Sequence, residues 1–234
     1  MPWSLDYDES TVSEGLAKSA RYFSNKAAFN CMGNRMTYSE VDGLVNHFAR
    51  ALMDLGVDKD DKVATIMPNI PQMIIANMAA FRIEAVVVLN NPLYMERELQ
   101  YQLDDSDSKV AITLTLLVPR IRKIMSGTEL EKVVGCHINT YLPFPKKQLF
   151  PYVRKEIYKK IESAPNAYEF KDLIKKYPAD PVEDRGEWEE LSTIIYTGGT
   201  TRLNKGVMLG HKGISCNVRQ FAAWFSDLSR GVIP

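Results

Sequence analysis

Apolar positions recur along this chain with two periods, and the alternation between them predicts the fold class. Val41, Leu44, Val45, Phe48, Ala49, Leu52 and Leu55 repeat at the three-to-four spacing of one helix face. Thr37 and Glu40, just before them, have the spacing of a capping box, in which a hydroxyl and a carboxylate take up free N–H groups of the first turn. Gly56 supplies a stop. A helix is therefore predicted over residues 38–55.

Residues 62–67 form a short apolar strand pattern. Asn69 and Pro71 then open a second helix through Met73, Ile74, Asn77, Met78 and Phe81, because a first-turn proline gives up an N–H that has no acceptor within the helix. The β-branched run 85–89 predicts a buried strand. Strand, helix and strand in such quick succession make a βαβ unit and imply a parallel sheet. After Pro92, the spacing of Met95, Leu99 and Leu103 predicts a third helix, and strands follow over 109–114 and 132–138. The polar, turn-rich stretch 178–186 reads as a connection. The class is α/β, with helices packed on mixed β-sheets. The 234 residues suffice for one large domain, or for one domain and part of a second.

Composition narrows the function. The 45% hydrophobic and 25% charged shares suit a globular core. Formal net charge is zero, whereas a nucleic-acid protein shows a basic excess, so no nucleic-acid partner is expected. Cys31, Cys136 and Cys216 are odd in number and far apart, which fits reduced thiols in the cytoplasm better than a disulfide framework or a zinc site. His47, His137 and His211 are equally scattered, with no pair at metal-ligand spacing. The first ten residues are acidic where a secretory signal would be basic. No apolar run approaches the roughly 18 residues of a membrane span; the best, 73–81, is short and interrupted by Asn77.

Residues 141–160 differ from the rest. Lys146, Lys147, Arg154, Lys155, Lys159 and Lys160 stand against Glu156 alone, with Tyr141, Phe144, Phe150, Tyr152 and Tyr158 among them. Such a stretch can lie on an anionic membrane surface, a peripheral contact at the inner face. It can equally be a solvated loop and helix that pack their aromatics on the protein body.

The segment with the chemistry is residues 193–209. A β-prone run, 193–197, enters a loop holding Gly198, Gly199, Thr200 and Thr201; Lys205 and a second apolar run, 206–209, follow. Glycines let backbone N–H groups point inward as an anion nest. The hydroxyls of Thr197, Thr200 and Thr201 can donate to phosphate oxygens, and Lys205 adds a positive charge. A Walker A loop is excluded, because that motif needs Gly-Lys followed by Ser or Thr at a helix start, and here Asn204 precedes Lys205 and a strand pattern follows. A kinase glycine-rich loop fails too, since Thr200 and Thr201 sit where its glycines should continue. On composition alone, a plain hairpin turn remains the alternative.

The stretch Tyr196, Thr197, Gly198, Gly199, Thr200, Thr201, then Lys205, Gly206 and Val207, resembles the signature loop of the adenylate-forming superfamily: acyl-CoA synthetases, firefly luciferase and peptide-synthetase adenylation domains. Gly198 is similar to the bacterial long-chain fatty-acyl branch, as are Asn91-Pro-Leu-Tyr94, Glu98-Leu99, Tyr101-Gln-Leu103 and Tyr141-Leu-Pro-Phe-Pro-Lys146. Thr37-Tyr-Ser-Glu40, Leu55-Gly-Val57, Asp61-Lys-Val-Ala64 and Met67-Pro-Asn69 also resemble family segments, so the likeness runs from about residue 10 to 225. Two positions depart from the pattern. Arg202 stands where the family has a glycine, and either strains the loop or binds phosphate itself; Asn204 replaces the usual Pro or Ala.

The resemblance implies a fatty-acid–CoA ligase. Such enzymes join a carboxylic acid to ATP, releasing pyrophosphate, and the thiol of CoA then displaces AMP. Thr197, Gly198, Gly199, Thr200, Thr201 and Lys205 would bind the ATP phosphates. Thr197 compares with the family's Mg²⁺-contacting hydroxyl. Residues 1–234 would be the N-terminal portion of the large domain, with the adenine pocket, most of the acyl tunnel and the catalytic lysine beyond it, so its chemistry alone is expected to be incomplete and no catalytic residue is assigned. Uncovered apolar faces could draw the chain into a homodimer. Other readings are an adenylating enzyme for another carboxylic acid, and a noncatalytic remnant or interaction module. Phe221, Trp224 and Phe225, at helical spacing, read as core. His211 reads as structural, near the start of a last helix.

Overall fold

The computed structural model describes residues 5–161, 164–184, 186–197 and 204–224. In chain order the elements are α1 (Val12–Tyr22), β1 (Ala27–Cys31), β2 (Asn34–Thr37), α2 (Tyr38–Asp54), β3 (Lys62–Ile66), α3 (Pro71–Arg82), β4 (Val86–Asn90), α4 (Glu96–Asp105), β5 (Ser108–Leu114), α5 (Val118–Ile124), β6 (Lys132–Cys136), α6 (Lys146–Val153), β7 (Ala167–Glu169), α7 (Phe170–Lys176), β8 (Leu191–Thr197), β9 (Lys205–Gly210) and α8 (His211–Trp224).

The predicted start of α2 is realised atom by atom. The Glu40 N–H donates to the Thr37 hydroxyl at 3.2 Å, and the Thr37 N–H donates to the Glu40 carboxylate at 2.8 Å. Gly56 follows the helix at φ 81°, a backbone that other residues adopt only with strain. The periodic face, Val41, Val45, Phe48, Ala49 and Leu52, is buried, and the Phe48 ring packs on Phe170 of α7.

Seven strands form one sheet in the order β7-β6-β5-β3-β4-β8-β9; β1 and β2 make a separate hairpin. Every pair in the large sheet is parallel except β8 with β9. The chain moves one way from β3 to β4, then back across β3 to β5, β6 and β7. Right-handed crossovers therefore put α3 on one face and α4 and α5 on the other. Accordingly α1, α2, α3 and α7 pack together, and α4 packs with α5. The central strands are covered on both sides, so β3, β4, β5 and β6 are almost wholly buried apolar runs.

Arg82, 3% exposed, knits one helical layer. Its guanidinium donates to Ser13 of α1 and to Asn46 and Asp42 of α2. The Val182 N–H donates to the same Asn46 oxygen, which ties the connection to α2 at Val182.

The structure corrects one expectation. Phe221 and Trp224 are 57% and 74% exposed and so do not belong to the core of the described residues. Phe225 lies outside the described residues. Within 141–160, Tyr141 packs on the core and Tyr158 stacks on His137 at 4.6 Å, whereas Phe144 and Tyr152 are exposed. No helix among the described residues is long and apolar enough to cross a membrane.

Candidate phosphate-binding hairpin

β8 runs parallel to β4, so its last residue, Thr197, leaves the sheet at the carboxyl edge. In open α/β sheets that edge is where ligands gather. β9 returns antiparallel, with Thr197 paired to Lys205 and Tyr196 to Gly206. A strand and no helix follows the loop, as the Walker A exclusion requires. Thr197 and Lys205 thus flank the mouth of the hairpin as a cross-strand pair, both exposed. The Thr197 hydroxyl donates to the Lys205 carbonyl at 3.4 Å, long enough to be given up readily for a better acceptor. Gly198, Gly199, Thr200, Thr201 and Arg202 lie outside the described residues.

The hairpin is braced from below by contacts that motif reading missed. The Tyr196 phenol donates to the Asp105 carboxylate at 2.7 Å and to the Gln102 carbonyl at 3.2 Å, both at the end of α4. Burial, with the Asp105 carboxylate beside it, pushes the Tyr196 hydroxyl well above its ordinary range. Tyr101 packs edge-on against Tyr196 and donates to the Asn204 carbonyl at 3.2 Å, so one turn of α4 holds both strands. The signal available in sequence was the i, i+4 pair Tyr101 and Asp105 on a predicted helix. Gly206 has a packing reason: a Cβ there would come within 3.0 Å of Ile194 and 3.4 Å of the Tyr196 ring.

His211, first residue of α8 and 2% exposed, is structural, as expected. The Val12 N–H donates to its Nδ1 at 3.3 Å, and its ring meets Phe81 edge-on. Burial lowers its pKa despite Asp184 and Glu190 nearby.

The described donors suit a polyphosphate: a hydroxyl and an ammonium on paired strand ends. They suit a metal less. Thr197 offers Mg²⁺ one neutral oxygen, and among the described residues no group of three His, Cys, Asp or Glu converges. A cation here would be held largely by phosphate oxygens and water.

The described elements are thus a largely parallel α/β sheet whose antiparallel edge pair, β8 and β9, brackets the Gly-Gly-Thr-Thr stretch of the sequence. The pattern of the AMP-binding enzyme family matches residues 16–231, and the chain belongs to that family. Among curated relatives, the long-chain-fatty-acid–CoA ligase of Bacillus subtilis is 32% identical over 234 residues, covering 99% of this chain and 42% of that protein. The ligase of the same name from Escherichia coli O157:H7 is 32% identical over 213 residues, covering 89% of this chain and 38% of its own. The chain thus spans about two fifths of these relatives.

Two solved structures share the fold. The anthranilate CoA ligase AuaEII in complex with anthranoyl-AMP superposes with TM-score 0.76 at 20% identity, over 97% of this chain and 39% of its own. A long-chain-fatty-acid-CoA ligase from Archaeoglobus fulgidus superposes with TM-score 0.74 at 21% identity, over 95% and 41%.

Proposed function

We propose that residues 1–234 are the N-terminal portion of the large domain of an ATP-dependent long-chain fatty-acid–CoA ligase, and that this portion contributes the triphosphate-binding hairpin. The observation that carries the reading is the Thr197–Lys205 pair at the mouth of the braced β8–β9 hairpin. The whole enzyme would convert a fatty acid and ATP into acyl-AMP and pyrophosphate, and then acyl-AMP and CoA into acyl-CoA and AMP. The carboxylate oxygen attacks the α-phosphorus and pyrophosphate leaves. Lys205 and the donors of 197–201 would hold the β- and γ-phosphates in line and take up the charge that pyrophosphate carries away. Bound Mg²⁺ would shield that charge further, with Thr197 as its one contact among the described residues. A long-chain acid is favoured over an aryl acid because the relatives near 32% identity are named for long-chain acids, whereas the likeness to the anthranilate enzyme lies in fold alone.

The free thiols Cys31, Cys136 and Cys216 support a reducing compartment such as the cytoplasm. Exposed Val207 and Met208 on the edge strand β9, with Val218 and Trp224 on α8, support a homodimer of this chain, which sedimentation velocity would show as a concentration-dependent species.

The test is amide chemical-shift mapping with ATP and with pyrophosphate as competitor. Shifts centred on Thr197, Thr200, Thr201 and Lys205 that pyrophosphate reproduces support the reading. If millimolar ATP leaves these amides unmoved, the chain is better read as a noncatalytic remnant or interaction module. For the complete enzyme, acid-dependent pyrophosphate release across a panel of chain lengths decides the substrate.

A further inference from the structure

The helix α6, Lys146–Val153, is amphipathic in the reverse sense for a surface helix. Leu149, Tyr152 and Val153 stand at i, i+3 and i+4 and so share one face. That face is turned outward: the three are 52%, 74% and 70% exposed, and Phe144, just before the helix, is 82% exposed. Phe150 and Pro151, on the other side, are half-buried. A helix held only by protein and water would show the opposite arrangement. The surrounding charge is one-sided. Lys146 and Lys147 begin the helix, Arg154 and Lys155 follow it, and only Glu156 opposes them within 141–160.

The segment is also fixed in place. The Tyr158 ring stacks on the buried His137 ring, and the Asn139 amide donates to the Lys147 carbonyl at 3.0 Å. The exposed apolar face is therefore presented on a tethered element. It lies in the β6–β7 connection, at the opposite edge of the sheet from β9 and α8.

We propose that α6 and Phe144 are a docking surface for an anionic lipid bilayer. The helix lies in the interfacial plane, with Phe144, Leu149, Tyr152 and Val153 among the acyl-chain boundary and the basic residues against headgroup phosphates. Apolar side chains on the outer face select a hydrocarbon boundary, and the excess of basic residues selects a negatively charged one. An acidic protein groove would satisfy the charges, but it has no need of the exposed apolar face formed by Leu149, Tyr152 and Val153, with exposed Phe144 just before the helix.

The experiment is co-sedimentation of the full chain with vesicles of phosphatidylcholine alone, and of phosphatidylcholine and phosphatidylglycerol in equal parts. Binding is expected only to the anionic vesicles and is expected to weaken as salt is raised. L149S/Y152S/V153S and K146E/K155E should each reduce it by about tenfold or more. L93S, which removes an exposed leucine elsewhere, should leave it unchanged. All these positions are exposed, and circular dichroism checks that each variant folds. Absence of binding to anionic vesicles overturns the proposal. So does binding that survives both α6 variants, which would place the contact elsewhere, and so does a vesicle-independent dimer that the α6 variants abolish, which would assign the face to a second copy of this chain.

Discussion

The Tyr196 phenol donates to the Asp105 carboxylate at 2.7 Å, which joins the strand entering the phosphate loop to the last turn of α4. Removing the hydroxyl leaves that carboxylate oxygen without its donor while the aromatic ring still packs on Tyr101. Tyr196→Phe is therefore expected to lower stability by about 1.5–3 kcal/mol, the scale of a hydrogen bond to a charged group. Urea denaturation measures it. Asp105→Asn, which can still accept from the phenol, should lower stability less; an equal loss in both would mean that the charge of Asp105, and not the acceptor, holds the strand.

Lys205 faces Thr197 across the mouth of the hairpin, and its side chain is exposed. An exposed lysine contributes little to folding, but its charge acts directly on a bound phosphate. Lys205→Ala is expected to leave the melting temperature nearly unchanged and to weaken ATP binding by about tenfold. Isothermal titration with ATP reads the affinity, and raising salt should narrow the difference between the two proteins.

Much of this hairpin and of the sheet around it was legible before any coordinates. The strands expected at 62–67, 85–89 and 109–114 became β3, β4 and β5, because strands buried on both faces need no alternation to declare themselves. The capping box at Thr37 placed the start of α2 to the residue. What escaped was decided by distant partners. α7 is seven residues long and is held by Phe170 against Phe48, a contact between residues more than a hundred positions apart. The short β7 exists because β6 offers it an edge. Phe221 and Trp224 have core spacing, but spacing alone does not say whether anything covers the face. At the site, the glycine and threonine pattern was plain, while the Tyr196–Asp105 brace required knowing that α4 ends beneath β8.

Arg82 offers a sharper test of the helical layer. Its guanidinium is nearly sealed from solvent and meets Asp42 at 2.8 Å, with Asn46 and Ser13 taking its other N–H groups. Arg82→Leu fills much of the space but leaves Asp42 without its guanidinium donor and Asn46 with only the Val182 N–H. Breaking a buried pair from one side is costly, so a loss of about 3 kcal/mol is expected in urea denaturation. Arg82→Leu combined with Asp42→Leu should recover part of it; a fully additive loss would show that the two residues are uncoupled.

The pH dependence of stability is set on its acid side by two buried histidines before any carboxylate titrates. Burial lowers the pKa of His211, with Asp184 and Glu190 pulling weakly the other way. It also lowers that of His137, where Glu169 and Asp172 raise it and Lys171 reinforces the lowering. In both cases the unfolded chain binds a proton at a pH where the folded chain does not. Stability therefore rises with pH through that window. The contribution is complete above the ordinary histidine pKa of about 6.5, and it is lost as pH falls from there toward the lowered folded values. The carboxylates whose pKa values are depressed, such as Asp61 and Glu190, add a second loss only below their ordinary range, near about pH 4. Denaturation midpoints measured between pH 7 and pH 5 should consequently fall, and His211→Asn, whose amide oxygen can still accept the Val12 N–H, should flatten that slope by roughly half. An unchanged slope in the variant would mean that His211 takes up its proton in the folded protein as readily as in the unfolded chain, and that the contact between α1 and α8 does not depend on its neutral form.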